Sequence, residues 1–182
     1  MMYFNQEGKE NTEQVATIVA DYVKTHGIKY VVVASVSGYT ADIFLQKVTD
    51  AKIVVVTHVV GSIKKGVDMM GAEKRADLIK KGAAIVTAAH ALSGVERGIS
   101  SQFGGTYPVE IMAHTLRMFG SGVKVGIECA TMALDNGAIP YEEDVVAVGG
   151  SRGGADAAIL IRPGYSSAIF ETKVKEIICK PR

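Results

Sequence analysis

The sequence is short of most features that would announce a specialised class. Cysteine is one of them. Cys129 and Cys179 lie far apart and in no CxxC pattern, which excludes a disulfide framework and a cysteine-based zinc site and leaves two reduced, small apolar residues. Charge of one sign is another. Lys and Arg number 20 against 19 Asp and Glu, a net charge of +1. No global field therefore recruits nucleic acid or an anionic membrane, neither is expected as a partner, and anion binding has to be local. No apolar run approaches the roughly 18 residues of a membrane span. Met1 to Glu7 has neither the charged-then-apolar profile of a secretory signal nor the character of an Arg-rich transit peptide, so a cytoplasmic chain is expected. The Walker A, GxGxxG and HExxH patterns are missing too, which removes the motif-level case for each of those chemistries.

What remains is a chain of 182 residues, 48% hydrophobic, with a mean hydropathy of +0.20. That length fits one domain, residues 1–182. The apolar excess is what parallel strands buried on both faces require. Lys29 to Ser35, Lys52 to Thr57 and Ala83 to Ala88 are near-continuous β-branched or small apolar runs and read as buried strands. Helical spacing of Val15, Ile18, Val19, Tyr22 and Val23 predicts a helix over Thr12 to His26, capped by Asn11 or Thr12 and stopped at Gly27. Further helices are expected over Tyr39 to Val48, Ala72 to Lys81, Tyr107 to Phe119 and Lys124 to Asn136. The Gly- and Ser-rich stretch Leu92 to Tyr107 is left irregular up to its last residue. Asp144 to Gly149, Ala157 to Arg162 and Lys173 to Cys179 complete the strands, the last of them pairing antiparallel. The fold expected is α/β, a three-layer α/β/α arrangement around a mostly parallel sheet with an antiparallel edge.

The segment Ser35-Val36-Ser37-Gly38-Tyr39-Thr40 falls between the first of these strands and its helix. In open α/β sheets ligands bind beyond the carboxyl ends of the strands, where free N–H groups and a helix dipole favour a negative group. Gly38 permits a turn that other residues resist, and Ser35, Ser37 and Thr40 supply hydroxyls that can ring a phosphate. The same Ser37 and Thr40 are equally what a plain helix cap would use. Downstream, Gly149 to Gly154 reads either as a flexible hairpin or as a second ligand loop, with Arg152 able to clamp a phosphate or stack on a ring.

The stretch VVVASVSGYTADIFLQKVTDAKIVVVT resembles the C-terminal α/β domain of pyruvate kinase, where a strand ends in a Ser/Thr-x-Ser-Gly-x-Ser/Thr turn. GGSRGGAD, residues 149–156, resembles that domain's glycine-rich effector loop more loosely. The resemblance implies that Ser35, Ser37, Gly38 and Thr40 hold a phosphate, with Tyr39 standing where the family commonly has Arg or Lys. It implies no kinase activity, since the catalytic barrel has no room in this length. The whole chain looks more like stand-alone homologues of the domain, prokaryotic proteins of unassigned function that include flavin mononucleotide (FMN) binders, and this implies FMN as cofactor. Thr57, His58, Val59 and Gly61 after the second strand, and His90, Ser93 and Gly94 after the third, share the sheet edge with the turn and are expected around the ring. Gly150, Ser151, Arg152 and Gly153 join them.

Other residues carry less. His58, His90 and His114 with Glu96, Glu110 or Glu128 form no metal motif, so no metal is expected. Glu96-Arg97 reads as an intraloop ion pair, Glu128 as a residue at solvent or a helix terminus, and Met69, Met70, Met112, Met118 and Met132 as core fillers. The expected function is an FMN-binding protein, with flavin-dependent oxidoreductase chemistry as its enzymatic form and His58, His90 and Glu96 as acid–base candidates. The alternative is a non-catalytic sensor of a phosphorylated metabolite such as a sugar phosphate. An assembly module, a homo-oligomer without a ligand, is the third reading.

Overall fold

Every β-branched run forms a strand in the computed structural model, which describes residues 1–182. In chain order the strands are β1 (Met2–Phe4), β2 (Tyr30–Ala34), β3 (Lys52–Val56), β4 (Ala84–Val86), β5 (Val145–Gly149), β6 (Ala157–Arg162) and β7 (Lys173–Pro181). The helices are α1 (Thr12–His26), α2 (Tyr39–Lys47), α3 (Ala72–Lys80), α4 (Gly94–Phe103), α5 (Pro108–Arg117) and α6 (Ser121–Asp135). One sheet takes the order β1-β7-β6-β5-β2-β3-β4. Strand β6 is antiparallel to β5 and β7, and every other pair is parallel. The expected α/β/α layering with a mostly parallel sheet is therefore what forms.

The two-residue period of the strands divides the core. Val31, Val33, Val55, Val146 and Val148 face one way and pack with Val15, Val19 and Val23 of α1, Phe44 of α2 and Leu78 of α3. Val32, Val54, Val56, Val145 and Ala147 face the other way and pack on Val123, Ile127, Ala130 and Leu134 of α6. With 22 and 17 buried residues in the two clusters, neither face is solvated, which is why the strands read as unbroken apolar runs.

Several local expectations are corrected. Leu92 to Tyr107 is not irregular, because α4 occupies most of it, although none of its residues is buried. Neither Asn11 nor Thr12 caps α1. Asn11 Nδ2 donates to the Gln6 carbonyl instead, and Thr12 Oγ1 donates to the Lys9 carbonyl while accepting the Ala155 N–H. Strand β1 has no local signal in three residues and forms only against β7. Met70 and Met132 are buried as expected of core fillers, whereas Met69 and Met118 are exposed. No helix is long and apolar enough to cross a membrane.

The topology also fixes where a ligand can sit. From β2 the chain steps outward to β3 and β4, then returns through α4, α5 and α6 to β5 on the other side of β2. Connections therefore leave the parallel neighbours β2 and β5 in opposite directions, opening a crevice at their shared carboxyl edge.

Candidate functional site

A cavity of about 420 Å³ occupies that crevice. Its walls include Ser35, Ser37 and Thr40 after β2, Thr57 and His58 after β3, His90 after β4, and Gly150, Ser151 and Gly153 after β5. Nine of the residues singled out from sequence thus line one space. Helix α6 closes the back with Val125, Glu128, Cys129 and Met132.

The SVSGYT turn is built as an open helix start. Gly38 precedes α2 with φ 91° and, as a glycine, offers no side chain to cap it. Ser35 is spent internally: its Oγ accepts the Ala41 N–H at 3.3 Å. The Ser37 and Thr40 hydroxyls make no hydrogen bond within the protein, so they are not the caps that spacing alone allowed. Two free hydroxyls and a helix N-terminus with one first-turn N–H taken by Ser35 meet at the cavity wall, a combination that still favours an anion. A Cβ on Gly38 would lie 2.7 Å from Lys74 Cε, but the Lys74 ammonium is committed to Asp42 and Asp77. Since Lys81 also pairs with those two carboxylates, this cluster is charge-balanced.

The glycine-rich connection is a closed loop rather than a loose hairpin. A Cβ on Gly150 would overlap the Gly154 carbonyl oxygen, and one on Gly154 would lie 2.5 Å from Thr12 Oγ1. Buried Asp156 ties the loop to the N-terminal segment, its Oδ2 accepting the N–H groups of Gly8 and Ser151 at 3.0 and 3.1 Å. Its Oδ1 and the Ser151 hydroxyl lack partners. Burial pushes the Asp156 carboxyl above its ordinary range, against the pull of its hydrogen bonds.

The other expected site residues, Gly38, Tyr39, Val59, Gly61, Ser93, Gly94, Glu96 and Arg152, stand apart from the wall of this cavity. Gly38 shapes the turn from behind. Tyr39 turns away, and the Lys9 ammonium sits 3.9 Å from its ring centroid. Arg152 is exposed, 4.0 Å from Glu7. Ser93 lies with Glu96 and His90 along a second, more open cavity between the segment after β4 and the end of α6. Glu96 makes no ion pair with Arg97, because it is on α4, where its Oε1 accepts the Val109 N–H at 3.0 Å.

Sequence reasoning missed Glu128. Far from solvent or a helix end, it is 6% exposed, pairs with Lys124 Nζ at 2.5 Å and accepts the Leu92 N–H at 2.8 Å. The available signal was a Lys and a Glu four apart in a helix with no polar face to receive them. Above this pair stand His58 and His90, ring centroids 5.1 Å apart and interplanar angle 67°. Burial lowers the His90 ring below its ordinary value; Glu128 opposes the shift, while His58, Lys124 and Arg97 add to it.

The family model described as pyruvate kinase, alpha/beta domain, matches residues 13–160. Among solved structures, a pyruvate kinase from Cryptosporidium parvum is similar at 12% identity and TM-score 0.45, over 83% of this chain and 22% of that one. The Cryptosporidium parvum pyruvate kinase in complex with ADP is similar at 11% identity and TM-score 0.40, over 82% and 22%. The chain thus spans under a quarter of the length of either.

Proposed function

Since the chain belongs to the pyruvate kinase alpha/beta domain family, we propose that it binds a phosphorylated small molecule at the β2–β5 crevice and that this molecule is FMN. One observation carries the reading. A single cavity joins a cradle of free hydroxyls and helix dipole at Ser37 and Thr40 to a back wall of Val125, Cys129 and Met132. A flavin needs those two surfaces, one for its phosphate and one for the faces of its ring. The volume of about 420 Å³ falls within the roughly 300–1,000 Å³ of small-molecule sites. When bound, the flavin would supply electron-transfer chemistry while the protein held and oriented it.

Fluorescence quenching of added FMN tests the proposal. Saturable quenching is expected from the native protein, and Gly38→Val and Ser37→Glu should abolish it while circular dichroism stays native. The first variant forces a β-branched residue into φ 91° against Lys74; the second puts like charge in the cradle. A protein that leaves FMN fluorescence untouched contradicts the flavin assignment. The cradle grips phosphate without reading what it is attached to, which supports a second reading, a non-catalytic sensor of a sugar phosphate. A thermal shift with a sugar bisphosphate and none with FMN would select it.

A further inference from the structure

We propose that His58 and His90 form a subsite that reads the ring of the phosphate-anchored ligand, exchanging hydrogen bonds with the edge of a cyclic amide or imide. Flavins and pyrimidine nucleotides share that chemistry. The inference rests on the phosphate-anchored reading above and adds what the other end of the ligand must be.

Idle polar atoms carry the argument. His90 is half-buried in the cavity wall, yet neither ring nitrogen makes a hydrogen bond within the protein. His58 has one partner, Ser62 Oγ at 3.3 Å from Nδ1, which leaves Nε2 open. Both residues line the cavity beside the phosphate cradle, so nitrogens left without a protein partner there are groups a ligand can satisfy. The rings meet edge to face at 5.1 Å rather than stacked. A neutral imidazole offers one donor and one acceptor on diverging sides of its ring, so each histidine can meet one group of an amide edge and the pair together can meet its N–H and its C=O.

The charges around the pair keep this chemistry available. Glu128 and Lys124 face His90 from α6, Arg97 from α4, and His58 from the segment after β3. The one carboxylate in this set is already held by the Lys124 ammonium and the Leu92 N–H. Burial therefore prevails and holds the His90 ring below its ordinary value, which favours its neutral form at pH 7. Protonation would convert its acceptor nitrogen into a donor and unmatch the subsite.

The test titrates FMN and uridine monophosphate separately into native protein, His90→Leu and His90→Gln between about pH 8 and 5. Leucine removes both hydrogen-bonding atoms and should weaken binding about tenfold at pH 8. Glutamine, a donor and acceptor that does not titrate, should stay within about threefold of native. It should also lack the extra loss of affinity expected of the native protein as the pH falls towards 5. Protonation of the ligand phosphate, near pH 6, falls on all three proteins alike and cancels in the comparison. Independently, the His90 ring should titrate below its ordinary value by NMR and move lower still with ligand bound. Native affinity in His90→Leu overturns the subsite and leaves the phosphate reading standing. Binding of uridine monophosphate but not FMN, still dependent on His90, supports the subsite and overturns the flavin. Failure of native protein to bind either overturns both.

Discussion

Replacing Glu128 by Gln and Lys124 by Met, singly and together, measures the pair that holds the back of the cavity. Lys124 and Glu128 are 4% and 6% exposed, so each single change strands the other charge in a low-dielectric wall. The fold can limit the damage by neutralising the survivor, and that sets a ceiling. Bringing an amine with an ordinary titration point near 10.4 to its neutral form at pH 7 costs about 4.6 kcal/mol, at about 1.36 per pH unit. Bringing a carboxyl near 4.3 to its neutral form costs about 3.7 kcal/mol. Both fall within the ~3–5 kcal/mol typical of a broken buried pair. For a domain of this size that corresponds to a melting point lower by about 6–20 °C. Glutamine still accepts the Leu92 N–H, so the double variant strands no charge and should recover to within about 1 kcal/mol of native, or exceed it. Urea denaturation at pH 7 and pH 5 is the assay. The two singles should part with pH: the Lys124→Met cost shrinks towards pH 5 as protons become available to the lone carboxyl, while the Glu128→Gln cost persists. Single variants losing under about 1 kcal/mol, or a double variant as unstable as the worse single, would refute the reasoning, because the pair would then be hydrated and dispensable.

Three further outcomes follow from the same geometry. Gly150→Ala puts a Cβ onto the Gly154 carbonyl, and because the obstacle is backbone the loop has to open; a loss of about 1–3 kcal/mol in denaturant melts is expected, with faster hydrogen exchange at Ala155. Asp156→Asn should equal or exceed native stability at pH 7, since it keeps an acceptor for Gly8 and Ser151 and removes a charge that burial disfavours. A raised carboxyl lends its stability below its unfolded titration point and loses it as pH rises through the folded one, so the variant's advantage should fade towards pH 4, and an advantage that grows with acid contradicts this account. Burial pushes the Cys129 and Cys179 thiols up to about 12, so the native protein should resist iodoacetamide at pH 8 and label at both sites only in denaturant, as mass spectrometry would detect.

The strands were legible because burial on both faces writes itself into consecutive positions: Tyr30 to Ala34 and Lys52 to Val56 need no partner to be recognised. Where an element depends on distant chain, the signal fails. Met2–Phe4 is a strand only because β7 brings Cys179 to Pro181 alongside it, a contact across nearly the whole sequence. Helix α4 failed for another reason: Gly94, Gly98, Ser100 and Ser101 depress its propensity, and its spaced apolar residues Val95, Ile99 and Phe103 are exposed, so no buried stripe announced it.

The site divides along the same line. Ser35, Ser37 and Thr40 were found because they follow a strand, and strand ends on one edge of a parallel sheet must converge. What topology could not give was the wall supplied from outside the sheet. Lys124 and Glu128 have the spacing of an ordinary surface pair, and in most helices that is what they would be. Here α6 is the lone helix packed directly on its side of the sheet, so Val123, Ile127, Ala130 and Leu134 claim the face towards β5 and β6, and the neighbouring strip overlooks the crevice. The Glu128 carboxylate then does two things at once: it fixes the Leu92 N–H two residues beyond His90, and it cancels the Lys124 charge beside a neutral imidazole. A residue with no motif of its own thereby controls both the position and the charge of one the sequence did single out, and the Glu128→Gln protein should disturb the His90 titration as well as the melting point.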